Sequence, residues 1–187
     1  MKTDRRLIEA AKDLLDQGGE NAVTLRAIAQ AVGLSHNAPY KHFADRRAIL
    51  EAVAIDDFKY LTKIFEEVRQ TRAKPINKFK EALKRFVSYS QSYPARYRLL
   101  FSNPDIGASG GEVQTAAFAT FAEFSAIIKE CQDVNALPAL PNAELTGLVY
   151  ATVHGLIDIN AGGRFRTKKG FSTILDSVGL FLRLITK

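Results

Sequence analysis

Apolar residues recur at three- and four-residue spacing through almost the whole chain, and no stretch alternates with period two as a half-buried strand does. Glycines and prolines fall mainly between the periodic stretches, where helices stop and start. This pattern predicts an all-α fold of about nine helices. Asp4 to Gln17 sets Leu7, Ala11 and Leu14 at helical spacing, with Ile8 and Leu15 alongside, and Gly18-Gly19 stops the helix. Thr24 is placed to cap a short second helix of Leu25, Ile28, Ala29 and Val32, which Gly33 ends. Ser35 is placed to cap a third, running to about Lys41. Asp45 opens a long fourth helix with Leu50, Ala54, Leu61, Phe65 and Val68 on one stripe, broken at Lys74-Pro75. A fifth spans about Ile76 to Ser90, and a sixth begins at Tyr93-Pro94 and ends near Phe101. Ser102 to Gly111 reads as a loop, followed by a seventh helix from Glu112 to about Asp133. A proline-bounded connector, Leu137 to Pro141, leads to an eighth helix ending at Ala161, and Lys168 to Ile185 forms a ninth.

The character of the chain changes near Arg46. Three short helices with tight turns precede it, and longer, aromatic-rich helices follow. A small module over residues 1–46 and a helical body over residues 47–187 are expected. The single cysteine, Cys131, cannot form an internal disulfide. The start of the chain runs into an amphipathic segment with no secretory pattern, and no apolar run approaches the roughly 18 to 20 residues that span a bilayer. A cytoplasmic location with no membrane partner is expected. Paired carboxylates, a nucleophile elbow and a Cys/His arrangement are all missing from the pattern, so an enzyme is not expected. No cofactor is expected either. His154 has no second His or Cys at ligand spacing, so no metal is expected. The net charge of +6 is compatible with nucleic acid but weak evidence by itself. Residues 1–50 hold eight Lys/Arg against six Asp/Glu, so the case for DNA must rest on pattern.

That pattern lies in Thr24 to Tyr40, two short helices joined by a tight turn containing Gly33, the spacing of a helix-turn-helix. Ala29 is small enough for the helices to cross closely, and Gly33 can supply a left-handed backbone. Leu25, Ile28, Val32 and Leu34 would form the core with Leu7, Leu14 and Phe43. The second helix is left with a polar leading edge, Ser35, His36 and Asn37, of a kind that reads base edges in a major groove.

The run Val23-Thr24-Leu25-Arg26-Ala27-Ile28-Ala29-Gln30-Ala31-Val32-Gly33-Leu34-Ser35, with Pro39-Tyr40-Lys41-His42-Phe43, Arg46 and Ile49-Leu50, resembles the TetR-type DNA-binding domain. The resemblance covers about Asp4 to Leu50. It implies phosphate contacts from Tyr40, Lys41, His42 and Arg46, and backbone contacts from Thr24 and Arg26. Tyr93 to Phe101 and Val153-His154-Gly155-Leu156 are similar to the WHG type of C-terminal domain in that family, although the chain has no tryptophan.

In the body, the ninth helix is apolar around much of its circumference: Phe171, Ile174, Leu175, Val178, Leu182 and Ile185 form a stripe, and Leu180, Phe181 and Leu184 extend it. Gly147 and Gly155 share a face of the eighth helix, where each costs ~1 kcal/mol relative to alanine unless close helix contact offsets it. Burial within one monomer would account for this; so would a four-helix interface between two copies, which the resemblance favours. Phe86, Tyr89, Tyr93, Tyr97, Phe101, Phe118 and Phe121, with Tyr150 and His154, are candidates to line a pocket for a small effector, although aromatics at this spacing also build plain cores. The expected function is a sequence-specific DNA-binding regulator, a homodimeric repressor released from a palindromic operator by an apolar or amphipathic ligand. The alternative is a DNA-binding regulator without a small-molecule effector, controlled by a protein partner or constitutive.

Overall fold

The structure is a computed structural model and describes residues 3–186. Among these residues there are nine α-helices and no strand: α1 (Thr3–Gly18), α2 (Leu25–Ala31), α3 (Arg46–Arg69), α4 (Pro75–Ser92), α5 (Pro94–Ser102), α6 (Pro104–Gly107), α7 (Gly111–Asp133), α8 (Asn142–Ala161) and α9 (Ile174–Ile185). Three short 3₁₀ turns cover Glu20–Ala22, Pro39–Lys41 and Thr167–Lys169.

The chain groups into two compact units. The first holds the residues up to Tyr60 together with Tyr93–Phe118, and the second holds Leu61–Ser92 together with the residues from Ala119 onward. In the first unit α1 packs against α2 and α5. Its core comprises Leu7, Leu15, Val23, Ile28, Ile49, Val53 and Leu99, all fully buried. Leu15, rather than the expected Leu14, fills the inner position at the end of α1; Leu14 is half-buried. Lys12 is buried as well, because its ammonium meets two carboxylates of α3. It pairs with Asp56 and lies 3.2 Å from Asp57, itself 0% exposed. Arg5 also pairs with Asp56, and Arg96 of α5 reaches Asp57 at 3.3 Å and Asp16 at 2.9 Å. Desolvation pulls the Lys12 pKa down, but hydrogen bonding and attraction to the two aspartates outweigh it and hold the ammonium above its ordinary range.

In the second unit α8 packs on α4 and α9. The inward face of α8 is Leu145, Val149, Val153 and Ile157, and that of α9 is Ile174, Val178 and Leu182, each series at four-residue spacing. Phe65, Phe79, Phe86 and Phe124 meet as a cluster of tilted rings with centroids 5.5 to 6.5 Å apart. Arg69 links to Glu123 at 2.6 Å and to Glu130 at 3.0 Å. Cys131 is fully buried, and burial pushes its thiol up to about 11, so it stays protonated and unreactive at neutral pH.

Three elements differ from the sequence reading. The segment Ser35 to Lys41 is not a regular α-helix. It is a turn at His36-Asn37 followed by the 3₁₀ turn Pro39–Lys41. Proline has no N–H to return to the Ser35 carbonyl, which instead accepts from Ala38 N at 3.0 Å and tightens the coil. The Ser102–Gly111 loop contains α6, because the Asn103 side chain accepts from the Asp105 and Ile106 amides at 2.9 and 3.1 Å and Pro104 presets the first turn. The last helix begins at Ile174 rather than Lys168. Gly170 is left-handed, with φ of 83°, and Thr173 caps the helix by accepting from Asp176 N at 3.0 Å.

Candidate nucleic-acid interface

The first unit positions a short polar turn with several independent restraints. Thr24 Oγ1 accepts from Ala27 N at 3.1 Å and starts α2. At the other end of α2, Leu34 N donates to the Ala29 carbonyl at 2.9 Å and Gly33 N to that of Gln30 at 3.2 Å. This is a Schellman closure around Gly33, whose φ of 68° suits glycine. Arg6 of α1 donates to the Val32 carbonyl at 2.9 Å, so the turn is held from outside as well. Past the turn, Pro39 is buried and anchors the 3₁₀ segment. Its carbonyl accepts from both His42 N and Phe43 N at 2.9 Å, and Phe43 is half-buried. Asp45 then caps α3, accepting from Ala48 N at 2.8 Å.

These restraints leave a set of side chains in solvent. Thr24, Arg26, Ser35, His36, Asn37, Tyr40, Lys41, His42 and Arg46 are all exposed. Tyr40 is 60% exposed and stands in solvent. The exposed edge combines amide, hydroxyl and imidazole groups with a cation at Lys41. Such a surface can donate to phosphates and hydrogen-bond to base edges. Arg46 stands apart. Its Nε donates to the Val23 carbonyl at 2.8 Å and its Nη2 to the Glu20 carbonyl at 2.5 Å, bracing the 3₁₀ turn before α2. Neither Arg46 nor Arg6 could be assigned this bracing from sequence, because the carbonyls they reach lie more than twenty residues away.

The residues expected to line a ligand pocket are distributed over both compact units. Tyr93, Tyr97, Phe101 and Phe118 belong to the first unit, and Phe86, Tyr89, Phe121, Tyr150 and His154 to the second. Phe101 packs on Tyr97 and edge-on against Phe58, with centroids 5.2 and 5.7 Å away. Phe118 is 65% exposed. In the second unit, Phe121 meets Tyr150 at 5.8 Å, Tyr150 meets His154 at 4.0 Å, and His154 meets Phe86 at 5.2 Å. Burial among these rings pushes His154 down to about 4, so it is neutral at pH 7. A cleft of about 380 Å³ in the first unit is lined by Gly19, Glu20, Ala95, Arg98, Ser102, Asn103 and Pro104, none of them among the expected ligand contacts.

On α8 and α9 the outward faces stay apolar: Leu148 is 54% exposed, Leu180 54% and Leu184 78%. A Cβ added at Gly147, Gly155 or Gly179 would meet nothing within 4 Å. Among the described residues, the close contact expected to offset the helical glycines is therefore not made. No helix among the described residues is long and apolar enough to cross a membrane.

Residues 7–53 match the family model of bacterial regulatory proteins of the tetR family, and residues 79–178 match that of the tetracyclin repressor-like C-terminal domain. The class A tetracycline repressor protein from transposon 1721 of Escherichia coli is 42% identical over 48 residues, a match spanning 26% of this chain and 22% of that repressor. A protein of unknown function from Rhodococcus sp. RHA1 has a similar fold, with a TM-score of 0.84 at 24% identity over 100% of this chain and 97% of the other. The TetR-family transcriptional regulator PfmR from Thermus thermophilus superposes with a TM-score of 0.69 at 19% identity over 97% of both chains. SmeT, the repressor of the Stenotrophomonas maltophilia multidrug efflux pump SmeDEF, gives 0.69 at 16% identity over 100% of this chain and 92% of its own.

Proposed function

This chain belongs to the tetR family of bacterial regulatory proteins, DNA-binding regulators of transcription, and from that premise we propose that it is a homodimeric repressor released from a palindromic operator by a small apolar or amphipathic ligand. The observation that carries this reading is the exposed turn from Ser35 to Asn37, held rigid by the closure at Gly33 and the buried Pro39. His36 and Asn37 read base edges, and Tyr40, Lys41 and His42 take phosphates. Thr24 and Arg26 at the start of α2 meet the backbone. Arg46 contributes chiefly by holding the turn that precedes α2.

Two copies pair through the outward faces of α8 and α9, where exposed leucines and glycines without neighbours allow close helix packing. The pairing presents two recognition turns to half-sites about one helical turn or somewhat more apart. An effector would act through its different affinity for states that do and do not match this spacing. The Phe121, Tyr150, His154 and Phe86 ring series supports an apolar effector site in the second unit, with a neutral imidazole as its polar handle.

The test is a mobility-shift titration, at stated salt, of DNA flanking the protein's own coding region, searched for an inverted repeat. Tyr40→Ala is expected to weaken binding to every sequence. Asn37→Ala is expected to relax discrimination against base changes in the half-site, by about 1 to 3 kcal/mol at the position it reads. Unchanged affinity and unchanged discrimination in both variants would rule out the docking. A thermal-shift screen with apolar compounds checks the effector, since a ligand selective for the native state raises the melting temperature by mass action.

A further inference from the structure

The two units divide the charge unevenly. The first holds eleven Lys/Arg against eleven Asp/Glu, and the second holds fifteen against nine, so the whole excess of +6 lies outside the unit that bears the recognition turn. Part of it is concentrated between α8 and α9, in Arg164-Phe165-Arg166-Thr167-Lys168-Lys169, with no acidic residue between Asp158 and Asp176.

This loop has a defined shape. Gly163 N donates to the Asn160 carbonyl and Arg164 N to that of Ile159, each at 3.0 Å, closing α8 with a left-handed Gly163. The Arg164 guanidinium lies back over Gly162. The Arg166 carbonyl accepts from Lys169 N at 2.9 Å and from Phe171 N at 3.4 Å, and the Phe165 and Phe171 rings stack with centroids 4.4 Å apart. The stacked pair closes the loop with both rings half-buried, while Arg166, Lys168 and Lys169 are exposed. Among the described residues none of these three cations is in an ion pair. Like charges held this close repel one another, and an anion with several phosphates relieves that repulsion.

The position of the loop follows from helix directions within the second unit. Phe121 lies against Tyr150 and Ser125 against Thr146, so α7 and α8 are antiparallel. Phe79 meets Phe124 and Phe86 meets His154, so α4 runs the same way as α8. The loop after α8 therefore lies at the end of this unit where α4 finishes.

We propose that the Arg164–Lys169 loop is a second, sequence-independent contact to duplex DNA, in which Arg166, Lys168 and Lys169 bind phosphates. The proposal rests on the reading of the chain as a DNA-binding regulator. Duplex DNA fits better than a lipid surface because the loop turns its two aromatic rings onto each other and leaves none exposed to enter an interface.

The experiment uses the full chain and a duplex of arbitrary sequence about four helical turns long, with log affinity measured against log salt concentration. In the variant Arg166→Gln/Lys168→Gln/Lys169→Gln the slope should shrink by about 0.9 for each phosphate that is no longer neutralised. Affinities for operator and arbitrary sequence should fall by the same factor. The charge-preserving variant Arg166→Lys/Lys168→Arg/Lys169→Arg should keep the wild-type slope, which separates charge from any effect on loop folding. An unchanged slope in the glutamine variant would overturn the proposal, as would an unchanged slope accompanied by binding of the wild type to phosphatidylglycerol vesicles. Tyr40→Ala distinguishes the two readings: if it weakens binding while the glutamine variant does not alter the slope, the recognition turn stands and the loop's role falls.

Discussion

Removing the imidazole of His154 should flatten the acid side of the stability profile. Its ring lies 4.0 Å from that of Tyr150 and 5.2 Å from that of Phe86, and burial lowers it from the ordinary 6.5 to about 4. The folded state thus resists protonation that the unfolded chain accepts. As pH falls below 6.5 the unfolded state takes up a proton first, and stability is lost until the folded state also titrates near 4. A depression of this size corresponds to about 3 kcal/mol once both states are protonated. Between pH 7 and pH 5 about 2 kcal/mol of that is lost. In this window ordinary carboxylates stay ionised, and Asp56 and Glu51 are held below their usual range, Asp56 by Lys12 and Arg5 and Glu51 by the Ser109 hydroxyl and Arg47. The assay is urea unfolding of wild type and His154→Phe at several pH values and one protein concentration, since self-association makes stability concentration-dependent. The wild type should lose about 2 kcal/mol more than the variant between pH 7 and pH 5. Parallel profiles would show that the imidazole takes up its proton as readily in the folded state as in the unfolded one and would refute the reasoning.

Other consequences follow from single residues. Lys12→Ala takes the ammonium away from the buried carboxylate of Asp57 and should cost about 3 kcal/mol in urea unfolding; a loss no larger than that of an exposed lysine would show the site to be hydrated. Gly33→Ala meets no steric obstacle but must hold φ at 68°, so about 1 to 2 kcal/mol of stability should disappear, read as a lower melting temperature. Leu148→Lys combined with Leu184→Lys places charge on the outward faces of α8 and α9 and should yield monomers in sedimentation equilibrium; a persistent dimer would move the interface elsewhere.

What could be read from the chain alone was set by neighbours close in sequence. Thr24 and Asp45 as caps, Gly33 as a left-handed turn and the stripe from Leu50 to Val68 depend on three- and four-residue spacing, and each stands in the structure as that spacing requires. The tight 3₁₀ form of Pro39–Lys41 is also local in origin, since the missing N–H of Pro39 is a covalent fact; spacing predicts an α-helix there because it does not count hydrogen-bond donors. Tertiary structure alone decided where long side chains end. The resemblance implies a phosphate contact for Arg46; that its guanidinium also reaches two backbone carbonyls is something no spacing rule connects to it. Lys12 lies on the inner face of α1 only because Asp56 and Asp57 meet it there. The aromatic residues form one series in sequence, but packing divides them between two units, because periodicity states which face of a helix is apolar and not which neighbour covers it.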